Sequence, residues 1–369
     1  MRVRPVVFVL LLTWLWPPGA RADAEKLVVL FSGDTGGEIS DCGCHYLPAG
    51  GLARRKSAIA HERDTHVPVL VVDSGNALFK SVQSANEPNA QARAQLLLEQ
   101  MDAFGTAAMA VGARDVVLGI DWLKQTTRQA KMKLLSANLV DAKGKPLFAP
   151  STVVTVAGTR VGLVGLSPEG ELLPGVVGRP PGPAALAEAR RLREKEKAEL
   201  VVVLAALPLG DARRVAREVG GAVDFLLQSH EGRLPGVAQH EGPVTLLPSG
   251  ERGRQLGRLE LQLRGTGPFV DLSEAARAQE GLKLLETNIT RAEERLATER
   301  DAGAKKALEE ALAGMRTRRQ ELSRQAELTV QPTTRTQRLS FVQLGPEVAE
   351  DAELKQRAER IAPPGAETR

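Results

Sequence analysis

Residues 27–54 read LVVLFSGDTGGEISDCGCHYLPAGGLAR. The stretch opens on an unbroken apolar run, Leu27 to Phe31, which suits a strand covered on both faces. It continues through a loop crowded with Gly, Ser, Thr and Asp. It closes on Gly50 and Gly51 ahead of Leu52, where the spacing predicts a helix from Gly51 to Arg63. A strand, a polar loop and a helix in that order are the repeating unit of an α/β fold. In such folds functional groups gather in the loops that follow strand ends.

The same alternation runs outward to about residue 264. Further strands are expected at Val69–Val72, Ala107–Val111, Leu134–Ala137, Val161–Gly165, Leu200–Leu204 and Phe225–Leu227. Helices are expected at Gln91–Phe104, Pro183–Ala198 and Asp211–Val219. Beyond Leu272 the character changes. Ala278, Leu282, Leu285, Ile289, Ala292 and Leu296 recur at alternating spacings of four and three, a heptad stripe. Gly303 interrupts it, and Leu308, Ala311, Met315 and Leu322 resume a similar stripe, so an antiparallel hairpin of two long helices is expected. A strand over Arg338–Leu344 and a frayed tail over Ile361–Arg369 follow. The expected organisation is a signal peptide (1–22), an α/β domain (25–265), the helical hairpin (272–328) and a C-terminal strand and tail (329–369).

The first residues carry Arg2 and Arg4, then an apolar run from Val6 to Trp16, then Ala20-Arg21-Ala22. That is the layout of a secretory signal peptide, and it predicts an exported protein, periplasmic or secreted, with no membrane span once the signal is cleaved. The chain has 49 Lys and Arg against 45 Asp and Glu, a formal +4, and cleavage would remove three arginines and no acid. So small an excess offers little to nucleic acid or to an anionic membrane. The two cysteines, Cys42 and Cys44, lie in one loop, and in an oxidising compartment such a pair invites chemistry.

Two short matches do not survive their context. Gly33-Asp34-Thr35-Gly36-Gly37 looks like the loop around a serine-protease nucleophile, but too little chain precedes it to supply a base. Asp34-Thr35-Gly36 and Asp73-Ser74-Gly75 look like the paired loops of aspartic proteases. They sit in one α/β unit with a helix between them, not in two converging β lobes.

A longer run of segments, in fixed order, resembles the calcineurin-like metallophosphoesterases of the 5'-nucleotidase type. Leu27–Gly37 resembles that family's first strand and its Asp-x-His-Gly loop, and Gly50–Arg54 its Gly-Gly-Leu-Ala-Arg helix start. Val71–Asn76 stands where the family has Asp-x-Gly-Asp, and Phe104–Asp115 resembles the segment ending Gly-Asn-His-Glu. Leu135–Pro146, Val161–Ser167, Val201–Leu207, Val223–Gly232 and Pro248–Leu261 match the later segments. The resemblance implies an α/β sandwich of two facing mixed sheets with helices outside. It also implies a family chemistry in which two metals bind a phosphate ester and deliver hydroxide to it.

Carried over by position, most of the ligands are missing. Asp34 keeps the first Asp and His230 the first His of the last pair. Gly36, Asn76, Ala113, Arg114, Ala206 and Gly232 replace the others, and Asn76 lacks the charge that would bridge two dications. A two-metal centre is therefore not expected. Arg114 could pair with Asp34 or Asp73, or bind an anion, and Asp73 reads as a structural carboxylate.

Asp41-Cys42-Gly43-Cys44-His45 lies in the same loop as Asp34. Three readings stand: a redox disulfide, one soft metal such as zinc or copper held by Asp34, Cys42, Cys44, His45 and His230, and a disulfide that only stiffens the loop. The leading expectation is a non-hydrolytic exported protein with a cysteine-based redox or mono-metal site in the old cleft. The alternatives are a phosphoester hydrolase with a rearranged site, and a non-catalytic module that binds a redox or other protein partner through the hairpin. His61, His66 and His240 read as solvated surface.

Overall fold

The computed structural model describes residues 26–41, 48–229, 237–250, 252–327 and 334–363. The expected signal peptide lies outside the described residues. Among the described residues no helix is long and apolar enough to cross a membrane.

In chain order the first strands are β1 (Lys26–Ser32), β2 (Val69–Asp73), β3 (Thr106–Ala110), β4 (Lys133–Leu135) and β5 (Leu139–Asp141). Next come β6 (Ser151–Val156), β7 (Thr159–Leu166), β8 (Gly170–Leu173), β9 (Val176–Gly178), β10 (Leu200–Ala205) and β11 (Phe225–Gln228). The last are β12 (Gln239–Glu241), β13 (Val244–Pro248), β14 (Gln255–Gln262), β15 (Val270–Asp271) and β16 (Thr336–Gln343). The helices are α1 (Leu52–Asp64), α2 (Ala90–Ala103), α3 (Ile120–Thr126) and α4 (Pro181–Glu194). They continue with α5 (Leu209–Val219), α6 (Ser273–Thr298), α7 (Ala302–Ala326) and α8 (Ala352–Ile361).

Two mixed sheets face each other, one in the order β15-β16-β14-β1-β2-β3-β4 and the other β12-β13-β11-β10-β7-β6, with a small β5-β9-β8 sheet beside them. The alternation along β1 explains the layers. Leu27, Val29 and Phe31 enter the core between the sheets, against Leu163, Val202, Leu204 and Phe225. Val28 and Leu30 face the other way, into the layer of α1 and α2 with Ile59, Leu97 and Met101. Both faces are dry, which is why the strand reads as a continuous apolar run. Since β1, β2 and β3 run parallel, as do β7, β10, β11 and β13, their C-terminal ends cluster at one end of the sandwich.

The C-terminal strand β16 returns to the first sheet and pairs antiparallel with β14 from Gln255↔Gln343 to Gln262↔Thr336. The α6–α7 hairpin is thus an excursion between β15 and β16. Its base is fixed by Ser273, whose Oγ accepts from the Leu339 amide at 2.8 Å. The chain breaks at Glu299–Asp301, where Asp301 caps α7 by accepting from the Ala304 amide at 2.8 Å, so Gly303 lies inside the helix rather than at the interruption. On α7 the buried residue is Leu312, and Ala311 is exposed. The inward stripe therefore runs Leu308, Leu312, Met315, Leu322, because the helix turns its larger apolar side chains toward α6. Leu312→Ala is expected to cost the hairpin about 2–3 kcal/mol and Ala311→Ser about 0.5 kcal/mol or less. Hydrogen exchange of the α7 amides would separate the two.

Helix α8 lies between the expected strand and the expected tail, where no helix was expected. Leu354 and Ala358 are buried, Lys56 pairs with Asp351 at 2.5 Å, and Arg357 with Glu99 at 2.5 Å. Asp351 caps the helix by accepting from the Leu354 amide. Residues 364–369 of the expected tail lie outside the described residues.

Candidate functional site

Strand β1 ends at Ser32 and runs on into Gly33, Asp34 and Thr35, and β2 ends at Asp73 and runs on into Ser74, Gly75 and Asn76. The two ends are tied by the Ser74 amide to the Ser32 carbonyl at 2.8 Å and the Asp34 amide to the Gly75 carbonyl at 2.9 Å. The floor at Gly33 has no room for a side chain, because a Cβ there would stand 2.2 Å from Ser74 Oγ and 2.6 Å from Ser229 Cβ. Ser74 Oγ donates to the Ser32 carbonyl and Ser229 Oγ to the Ser74 carbonyl, so these hydroxyls lock strand ends together.

Around this floor the fold gathers Asp34, Asn76 and Arg114. Arg114 follows β3 in the turn Ala113–Asp115, and its guanidinium pairs with the Asp34 carboxylate across the cleft. Its Nη1 also donates to the Lys80 carbonyl at 3.0 Å. Asn76 is fully buried and committed at both ends of its amide: Nδ2 donates to the Ser229 carbonyl at 2.9 Å and Oδ1 accepts from the Arg114 amide at 3.3 Å. Asp34 and Asn76 adopt the left-handed backbone, with φ of 51° and 55°, a region that Asp and Asn tolerate better than most residues. Ala206 lies fully buried at the end of β10, and Gly36 lies beside Lys80. Cys42, Cys44, His45, His230 and Gly232 lie outside the described residues. His61, His66 and His240 are exposed, and His240 Nε2 lies 3.2 Å from Asp271.

Two further charged residues shape this region, and the sequence reading gave neither a role. Asp115 is fully buried and its carboxylate accepts from the amides of Asn76 (2.7 Å), Ala77 (2.8 Å), Leu78 (3.0 Å) and Gly112 (2.8 Å). It ties the loop after β2 to the turn after β3. Its only signal in sequence is its place at the end of the Gly112–Asp115 segment. Arg55, 3% exposed, donates Nη2 to Thr35 Oγ1 at 3.1 Å and is drawn toward Asp73. Burial pushes its pKa down. Asp73 in turn accepts from Ser32 Oγ at 2.5 Å and the Gly75 amide at 2.8 Å, and burial pushes its pKa up. These contacts agree with a structural carboxylate.

Burial also pushes Asp115 up to about 6, against the pull of its amide donors, and the charge of Asp73 adds to the rise. A carboxylate raised in the folded state holds its proton more tightly there than in the unfolded chain. Its stabilising contribution is complete below the ordinary value of 3.8 and lost as pH rises through about 6. The expected loss from this group between pH 4 and pH 7 is on the order of 3 kcal/mol. Urea midpoints at pH 4.5, 6 and 7.5 should show that slope in the native chain and a flatter profile in Asp115→Asn.

A pair of bridged dications does not fit the described residues. Asp34 is held by a guanidinium, and Asn76 spends its amide on internal bonds. Glycine or alanine occupies positions 36, 113 and 206. Arg114 brings a fixed positive charge beside Asp34, which disfavours a cation there. Among the described residues no group of three or more His, Cys, Asp or Glu is placed to hold a metal ion.

No protein-family model matches the sequence, and no curated protein does. Solved structures do match the fold. A 5'-nucleotidase precursor from Thermus thermophilus aligns with a TM-score of 0.60 at 20% identity, over 90% of this chain and 57% of its own. The calcineurin-like phosphoesterase YfkN of Bacillus subtilis aligns at 0.58 and 13% identity, over 91% of this chain and 96% of that structure. The sulfate thiohydrolase SoxB of Thermus thermophilus aligns at 0.55 and 16%, over 64% of this chain and 54% of its own. This chain thus spans little more than half the length of the nucleotidase precursor and of SoxB. With its two facing sheets and clustered strand ends, the chain has the fold of the calcineurin-like metallophosphoesterases of the 5'-nucleotidase type.

Proposed function

We propose that this protein is an exported, non-hydrolytic member of that fold, and that Cys42 and Cys44 provide thiol–disulfide chemistry beside the old cleft. The observation that carries the reading is the Asp34–Arg114 ion pair, with Asn76 locked beside it. Side chains that would have to turn toward metals are spent on holding each other. The cysteines follow directly on Asp41 in the chain. Asp41 pairs with Gly50 across an antiparallel bridge, and its carboxylate lies 3.6 Å from the guanidinium of buried Arg54. Oxidation would join the two sulfurs while a partner disulfide takes up the two electrons and two protons to become a dithiol.

The names of the structural neighbours support a second reading, metal-dependent hydrolysis of a phosphoester. One preparation tests both. Protein purified from the periplasm is expected to contain well under two dications per chain and to lose and regain two thiols reversibly with a dithiol reagent. With manganese added, hydrolysis of a generic phosphodiester should not exceed that of Asp34→Ala. Near two dications per chain, with hydrolysis abolished by Asp34→Ala, would restore the hydrolase. One zinc or copper with both thiols masked would replace the disulfide by a mono-metal site.

A further inference from the structure

Arg114 uses only part of its guanidinium. Nη1 is bonded to the Lys80 carbonyl and Nη2 to Asp34, while Nε is buried and meets no acceptor among the described residues. Nε and Nη2 together form the side-on edge of a guanidinium, which grips two oxygens of one carboxylate, sulfate or phosphate group. The bond from Asp34 engages one of those two donors.

A second guanidinium shows the same surplus. Arg55 is almost wholly buried, and beyond its bond to Thr35 its Nε and Nη1 find no acceptor among the described residues. Thr35 adjoins Asp34 in the chain, and Asp73 feels the charges of both Arg55 and Asp34. Two arginines, one from α1 and one from the turn after β3, therefore bond to the consecutive residues Thr35 and Asp34, and among the described residues they have more donors than acceptors. Both are donors only, so the complement they lack is an acceptor, and their charge makes it an anion. At the rim, exposed Lys80 adds a further positive charge beside Gly36.

We propose that the cleft is a metal-free receptor for a small oxyanion. Arg114 grips it side-on, and Asp34 is the internal occupant that the anion displaces. The proposal rests on the reading that the cleft holds no two-metal centre. An oxyanion with two oxygens in one plane can take both Nε–H and Nη2–H, and a dianion gains more than the Asp34 carboxylate from the same cation. Free phosphate, a phosphate monoester, sulfate and a carboxylate share this chemistry.

The internal competitor gives the proposal opposite mutational signs. Asp34→Asn keeps the shape but removes the competing charge, so oxyanion affinity should rise about threefold or more. Arg114→Gln should lower it by about tenfold or more, and Arg114→Lys, which keeps the charge but not the fork, should recover only part. A purely structural ion pair has no means of tightening binding when one partner is neutralised.

The test is isothermal titration of the full-length chain in EDTA with inorganic phosphate, glycerol phosphate, sulfate and acetate in turn. A cooperative melt of each variant serves as the folding control. Binding of at least one anion, tightened in Asp34→Asn and weakened in Arg114→Gln, supports the proposal, and the tightest probe identifies the source. If the two variants shift affinity in the same direction, the proposal falls. No binding with or without manganese overturns the proposal alone, whereas binding that appears only with manganese overturns the metal-free reading as well.

Discussion

Asp115→Ala is expected to destabilise the protein by about 4 kcal/mol or more, enough to leave much of it unfolded or insoluble. The cost is not a lost ion pair, because the carboxylate holds four backbone amides from two separate loops. Truncation leaves those donors buried and unpaired, each costing about 1–3 kcal/mol before relaxation or water entry recovers part of it. Asp115→Asn keeps one carbonyl oxygen and should cost roughly half as much. Urea unfolding followed by circular dichroism measures both. If the alanine variant stays within about 1 kcal/mol of the native chain, the amide cage does not hold these loops.

Gly75→Ala should cost about 3 kcal/mol or more, a large effect for one methyl group. Gly75 has a φ of +93°, a backbone region that an L side chain adopts only under strain. A Cβ there would come within 2.6 Å of the Ala110 carbonyl and 2.9 Å of Ala206 Cβ. The backbone oxygen cannot swing aside as a side chain would, so β2 and β3 would have to separate locally. Differential scanning calorimetry should find the transition lowered by roughly 10 °C or more. A near-native transition would mean that the loop entering Asn76 follows another path. The same contact bears on the site, because Ala206 is fully buried against Gly75. An imidazole would not enter that space without moving Gly75 and, with it, Asn76.

Much of the fold was legible because it rests on local periodicity. The dry strands read as apolar runs, and their observed ends lie within a few residues of those expected. The hairpin shows as a heptad stripe, although its turn lies at Glu299–Asp301 rather than at Gly303, because Asp301 caps α7 through the Ala304 amide. Helix α8 escaped because it is short and owes its position to Glu99, Lys56 and the core around Leu354, all distant in sequence. Of the candidate site, the sequence shows only which positions carry no ligating side chain. Glycine or alanine at positions 36, 113 and 206 excludes a metal ligand whatever the fold does with it.

Which group Arg114 meets was a matter of tertiary structure. Arg114 and Asp34 are 80 residues apart, and sequence allowed Arg114 to reach Asp34, Asp73 or a ligand. Only the parallel register of β1, β2 and β3 settles that Asp34 is the carboxylate it meets. Arg55 lies in α1 one residue beyond Arg54, and helical geometry alone sends their side chains in different directions: Arg54 to Asp41 and Glu350, Arg55 to Thr35 and the buried Asp73. Sequence by itself determined the α/β sandwich and the hairpin, because strand burial and heptads are local properties. Tertiary structure decided which charges meet, because an ion pair forms between strand ends that only the assembled sheet brings together.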